Sequence, residues 1–136
     1  MIVTEPQTIL REWLCERIGL VPTMDLRCIG SVLHGELVGV VGFDQYNGAS
    51  MVMHCAGQGH WLTRDMLWAV FDYPFRVCNA NIVLGFVPSG NTDAIRFNTH
   101  IGFKVEAVLE GAHPDGALWL MTMKRGECRY LKPLRK

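Results

Sequence analysis

The chain has 136 residues, 49% of them hydrophobic and 19% charged, with thirteen Lys and Arg against thirteen Asp and Glu. This is the composition of one globular domain with a substantial core; it excludes a disordered chain and any global field that would recruit nucleic acid or an anionic membrane. No apolar stretch approaches the ~20 residues of a membrane span, and the opening Met1 to Glu5 lacks a basic leader and cleavage site, so a cytoplasmic protein is expected.

In chain order, a brief initial strand precedes a helix between Glu5 and Gly19, where Ile9, Leu10, Trp13, Leu14 and Ile18 recur at helical spacing. Apolar runs Leu26 to Leu33 and Leu37 to Phe43 meet at His34-Gly35-Glu36, and a second turn at Asn47-Gly48 leads into Ala49 to Ala56. Asn-Gly between strands signals a hairpin because both turn positions favour positive φ, so an antiparallel meander is expected. Met66, Leu67, Val70 and Phe71 give a second helix from Thr63 to about Tyr73, where Pro74 disfavours helical geometry in the residue before it. Residues 81 to 87 are nearly all apolar and fit a central strand buried on both faces. Asn91 then caps a helix to about Ile101, with Gly102 as its left-handed stop. Strands at 103 to 109 and Ala117 to Met123, joined by a turn from Gly111 to Gly116, complete the order.

The five cysteines (Cys15, Cys28, Cys55, Cys78 and Cys128) are odd in number, dispersed and never spaced Cys-x-x-Cys, against both a disulfide framework and a zinc knuckle. His54, Cys55 and His60 are close in sequence, but adjacent strand residues point to opposite faces and no regularly spaced fourth ligand follows. From Lys124 onward six bases (Lys124, Arg125, Arg129, Lys132, Arg135, Lys136) face one acid, Glu127. Tyr130 is the only aromatic near them, which gives no stacking platform for nucleic acid and reads as a solvated basic tail. The expected organisation is a domain over residues 1–126 and a basic tail over 127–136.

The segment Asn91-Thr-Asp-Ala94-Ile-Arg-Phe97, set between an apolar strand and Gly102-Phe103 with a further strand, resembles the second-half signature of the GCN5-related N-acetyltransferase (GNAT) family. The order of elements over almost the whole chain is similar too. The resemblance implies an α/β single-domain GNAT-like fold: a mixed sheet of about seven strands with helices on both faces. It also implies acetyl-coenzyme A as co-substrate. Two neighbouring parallel strands would splay, and the pantetheine arm would lie between them against backbone groups of Cys55, Ala56 and Gly57 on one side and Val87 on the other. Asn91 would hold the coenzyme and Phe97 would pack along it.

The sequence departs from the family in three places. One helix stands at the front where two commonly wall the acceptor site, leaving a pocket that is open or completed by a second copy in a homodimer. At the pyrophosphate loop, Gln58-Gly59-His60-Trp61-Leu62-Thr63-Arg64 keeps the Gln, but Trp61 and Thr63 stand where small residues belong. Gly57 and Gly59 are the alternative points of close approach, with Arg64 as charge partner and His60 as donor. A local reading of the same residues makes Thr63 a helix cap and Trp61 a core plug. Where many members carry a Tyr that protonates the leaving thiolate, this chain has Asn98; members resembling the ribosomal-protein acetyltransferase branch, which this chain is nearest to, also lack that Tyr. For a general base, His54 fits best, on the strand flanking the gap and with a suitable unperturbed pKa; Glu106 and Asp44 are weaker candidates. The sequence therefore reads as an N-acetyltransferase acting on a primary amine. Its rivals are a coenzyme-binding module without catalysis and a protein or RNA interaction domain that keeps only the fold.

Overall fold

A computed structural model describes residues 1–131; Lys132, Arg135 and Lys136 of the basic tail lie outside the described residues. One seven-stranded mixed sheet organises the chain: β1 (Ile2–Val3), β2 (Arg27–Leu33), β3 (Glu36–Asp44), β4 (Ser50–Gly57), β5 (Ile82–Pro88), β6 (Lys104–His113) and β7 (Gly116–Lys124), in the order β1-β2-β3-β4-β5-β7-β6. Every neighbouring pair is antiparallel except β4 with β5. That parallel pair is the centre of the molecule.

Among the described residues three α-helices cover the sheet: α1 (Gln7–Ile18), α2 (Arg64–Asp72) and α3 (Thr92–Ile101). Leu10, Leu14 and Cys15 of α1 pack with Cys28 and Val40 on one face. On the other, Met66, Val70 and Phe71 of α2 and Ile101 of α3 join Val41, Val83 and Met121. Ile9 and Ile18, which share the helical spacing of the α1 core residues, remain exposed. The apolar stripe is therefore narrower than its sequence spacing suggests.

The connections explain themselves chemically, though not always as expected. The tight hairpin turn is His34-Gly35, with φ of 53° and 79°, the doubly positive geometry of a type I′ turn. Asn47-Gly48 instead sits in the longer 45–49 loop, where the Asn47 side-chain oxygen accepts from the Ala49 and Ser50 amides. Pro74 does not end the second helical segment. The chain continues as a π-turn, Tyr73–Val77, closed by the Cys78 amide donating to the Tyr73 carbonyl at 2.9 Å, and Pro74 has no amide to satisfy within it.

The chain beyond β7 packs back onto the body. The Tyr130 ring stacks on Phe71 at 5.4 Å and Arg129 donates to the His100 carbonyl at 2.6 Å. Lys104 pairs with Glu127.

Candidate active site

The parallel ladder between β4 and β5 covers Ser50–Ile82, Met51–Val83 and Val52–Leu84, and then stops. Both strands continue, β4 to Gly57 and β5 to Pro88, each paired on its outer side with β3 or β7. Their facing backbone groups are therefore left unpaired, and buried amides and carbonyls demand partners. Gln58 N–H donates to Val38 O at 2.9 Å, so the two-residue alternation of an antiparallel ladder turns the amides of Ala56 and His54 toward β3 and those of Cys55 and Gly57 into the gap, while the Met53 amide completes the last bridge of the ladder, Val52–Leu84. On β5, the Ser89 amide donates to Ala117 O at 2.9 Å; the same alternation commits Val87 to β7 and leaves Phe86 facing the gap.

A cavity of about 490 Å³ runs through this opening. Its walls are Arg17, Ile18 and Leu20 at the end of α1, Met53, His54 and Cys55 of β4, Gly85 to Pro88 of β5, and Asn91, Ala94, Phe97 and Asn98 around the first turns of α3. Of the residues singled out from sequence, His54, Cys55, Val87, Asn91 and Phe97 meet here. Ala56, Gly57, Gln58, Gly59 and Arg64 do not line it.

His54 lies opposite Gly42, whose α-carbon faces Leu14 and Leu26, so the imidazole projects to the α1 side of the sheet. Its Nε2 is 2.9 Å from Oδ1 of Asp44, whose side chain is only 10% exposed. A buried carboxylate at that distance accepts a hydrogen bond from Nε2–H, so that in the neutral imidazole Nδ1 is the acceptor nitrogen. Nδ1 has no hydrogen-bond partner among the described residues. Cys55 points to the other face, and burial pushes its thiol up to about 11. It remains protonated at neutral pH and is no nucleophile.

Asn91 caps α3, its side-chain oxygen accepting from the Ala94 amide at 3.1 Å. That leaves its amide N–H₂ at the cavity without a partner among the described residues. Asn98 is buried, and its side-chain nitrogen meets only the Met121 sulfur, at 3.9 Å. A β-carbon built on Gly85 would meet only that nitrogen, 4.0 Å away, so the strand is bare where the cavity passes it.

The loop between β4 and α2 is built differently. Trp61 is buried, lies against Phe97 at 6.5 Å, and covers Gly39 and Gly57 so closely that a β-carbon on either would come within 2.1–2.2 Å of its ring. Thr63 caps α2 by accepting from the Met66 amide at 3.2 Å. The close approach at Gly57 is thus taken by indole. Gly59 has φ +63° with nothing near it, and Gln58, His60 and Arg64 are exposed.

No protein-family model matches the sequence, and no curated protein matches it. Solved structures do. A chimeric spermidine N-acetyltransferase built from a Vibrio cholerae enzyme superposes with a TM-score of 0.72 at 16% identity, over 97% of this chain and 98% of that one. The Vibrio cholerae spermidine N-acetyltransferase in complex with coenzyme A and spermine gives 0.68 at 19% identity, over 94% and 79%. A GNAT-family acetyltransferase from Bacillus anthracis gives 0.61 at 15%, over 74% and 67%. The chain has the GNAT fold. The interrupted β4–β5 ladder and the cavity through it are how this chain carries out that fold locally.

Sequence reading missed Phe86, Asp44 as the partner of His54, Gly85 and Arg17. The signal for Phe86 was present: strand alternation from the Val83 core position puts 84 and 86 on the opposite side. It was masked by an apolar run that looked buried on both faces, whereas Phe86 is 44% exposed.

Proposed function

We propose that the chain is an N-acetyltransferase moving the acetyl group of acetyl-coenzyme A to a primary amine by direct attack. The observation that carries this reading is the early end of the β4–β5 ladder, because it leaves backbone donors aimed into a cavity with His54 at its wall. The pantetheine arm lies along the gap, with Met53, Cys55 and Gly57 on one side and Phe86 on the other. Phe97 packs beside it and the Asn91 amide holds it.

In the reaction the neutral amine attacks the thioester carbonyl. The C–N bond forms, the Cys55 or Gly57 amide stabilises the oxyanion, and preorganised donors of this kind are usually the largest catalytic contribution. His54 Nδ1 takes the amine proton while Asp44 supports the imidazolium. The C–S bond then breaks and the coenzyme leaves as a thiolate. A thiol titrates near neutral pH, so its anion leaves without a dedicated acid and takes its proton from solvent. Asn98, at the tyrosine position of other members, presents an amide rather than an acid. His60, Arg64, Gln58 and Gly59 stand at the pyrophosphate end.

Five unpaired thiols fit a reducing compartment, and we place the activity in the cytoplasm. A homodimer whose second copy walls the acceptor side is supported by Phe86 and Leu109, exposed on the α1 face of the sheet on strands beyond those that α1 packs against. The competing reading, a coenzyme-binding module without catalysis, is favoured by one observation, the indole filling the phosphate loop. Thermal unfolding and an acetylation assay separate the two. Acetyl-coenzyme A at millimolar concentration should raise the melting temperature by mass action, and amines should be acetylated. Stabilisation without transfer supports the inactive module, and no stabilisation removes both.

A further inference from the structure

The acceptor half of the cavity carries no carboxylate able to bind a cation. Among its lining residues there is neither Asp nor Glu, and the carboxylate behind it, Asp44, is engaged by His54. What it does carry is a guanidinium and bare hydrocarbon. Arg17 lies at the end of α1, held by a hydrogen bond from Nη1 to the Trp13 carbonyl at 2.8 Å and by its own stacking 3.6 Å above the Trp13 ring. Its Nε and Nη2 have no partner among the described residues. Beside it, Ile18 and Phe86 remain 37% and 44% exposed, large apolar surfaces turned to the cavity.

A polyamine brings further ammonium groups with the one that reacts. Each must lose hydration on entering, and without a carboxylate nothing restores it; a fixed guanidinium adds repulsion. A carboxylate-bearing acceptor meets the reverse situation, because a pinned guanidinium with two free N–H positions accepts a carboxylate in a fork. The hydrocarbon beside it favours an apolar body. Resting on the acetyl-transfer reading above, we infer that the acceptor is an apolar amine that also bears a carboxylate, of the apolar amino-acid class, and that Arg17 reads the carboxylate. Spermidine-type polycations are excluded by the same charge.

Matched pairs differing only by the carboxylate test this: leucine against isopentylamine, phenylalanine against phenylethylamine, methionine against 3-(methylthio)propylamine, with spermidine alongside. Coenzyme A release is measured for wild type, Arg17→Gln, Arg17→Lys and Arg17→Glu, and coenzyme affinity is measured separately by calorimetry. At least one amino acid should exceed its decarboxylated partner and spermidine by roughly tenfold or more in kcat/KM, about 1.4 kcal/mol, the modest end of what one charge-assisted contact contributes. Arg17→Gln should erase that margin through KM while coenzyme affinity holds, Arg17→Lys should restore part of it, and Arg17→Glu should favour spermidine. A merely structural Arg17, complementing the α1 dipole, would move stability but not the ratio within a pair. Preference for spermidine, equal use within every pair, or coenzyme binding with no transfer to any amine carrying a carboxylate each overturns the inference. If coenzyme A does not bind at all, the acetyl-transfer reading fails and this inference falls with it.

Discussion

Two helices begin beside the open end of the β4–β5 pair, and they begin differently. At α3 the cap is Asn91, the first turns line the cavity, and the neighbouring strand carries a glycine with free space in front of it. At α2 the cap is Thr63, and the space that glycines open is filled by Trp61. Glycine therefore has opposite meanings at the two ends. Gly85 leaves room for a ligand, whereas Gly39 and Gly57 leave room for a side chain of the same chain. The coenzyme's reactive arm and its phosphates are thus served by regions under different constraints, one kept open and one packed into the core.

The sharpest break between the two ends is energetic. Trp61→Ala should lower stability by about 3–5 kcal/mol, the usual range for removing a large buried aromatic, measured by urea unfolding. If the indole only plugs the core, an unfolding loss of 1 kcal/mol or less would contradict its assigned role. His54→Gln should behave in the opposite way, keeping stability and lowering the acetylation rate roughly a hundredfold or more. A folded variant that keeps the wild-type rate would return His54 to a structural residue.

Gly57→Ala should cost about 1–3 kcal/mol by overpacking against the indole, and less in a Trp61→Ala background, since the two changes share one contact. Additive losses would mean that the glycine serves something other than the indole. Cys55, on the cavity wall, gives a smaller and pH-dependent effect. Its folded pKa is raised to about 11 by burial, so the unfolded chain gives up this proton first as pH rises through about 9. Stability should be unaffected below pH 8 and should fall between about pH 9 and 11, by up to about 1.4 kcal/mol per pH unit for this thiol. Cys55→Ala should flatten that arm by a corresponding amount, read from denaturant unfolding across the range. Smallest of all in stability is Asn91→Ser, which keeps the cap, changes stability by only a few tenths of a kcal/mol, and loses the amide's reach to the coenzyme. Coenzyme affinity unchanged in that variant would leave Asn91 as a cap alone.

Much of the fold was legible because punctuation and periodicity agreed: Gly19 and Gly102 stop their helices in the left-handed region as expected. The misreadings have physical causes. A side-chain turn at Asn47 replaced the backbone turn that Asn-Gly usually signals, because five residues rather than two separate β3 from β4. Val87 was singled out where Phe86 faces the gap, because hydrogen-bond alternation depends on where the β5–β7 register begins, which the sequence does not print. The His54–Asp44 contact joins residues ten apart on neighbouring strands. It becomes visible only once the β3–β4 register pairs Gly42 with His54 and puts Asp44 on the same face.

The central claim is that the opening between β4 and β5 seats the coenzyme, and Gly85 tests it most directly. A β-carbon there meets nothing nearer than Asn98, 4.0 Å away, and Val suits a strand, so Gly85→Val should fold while filling the cavity, its melting temperature checked alongside. Calorimetric titration of coenzyme A into both proteins should show one-to-one binding by the wild type and at least tenfold weaker binding by Gly85→Val. Equal affinity in the two, or no binding by wild type at millimolar coenzyme, would contradict the account.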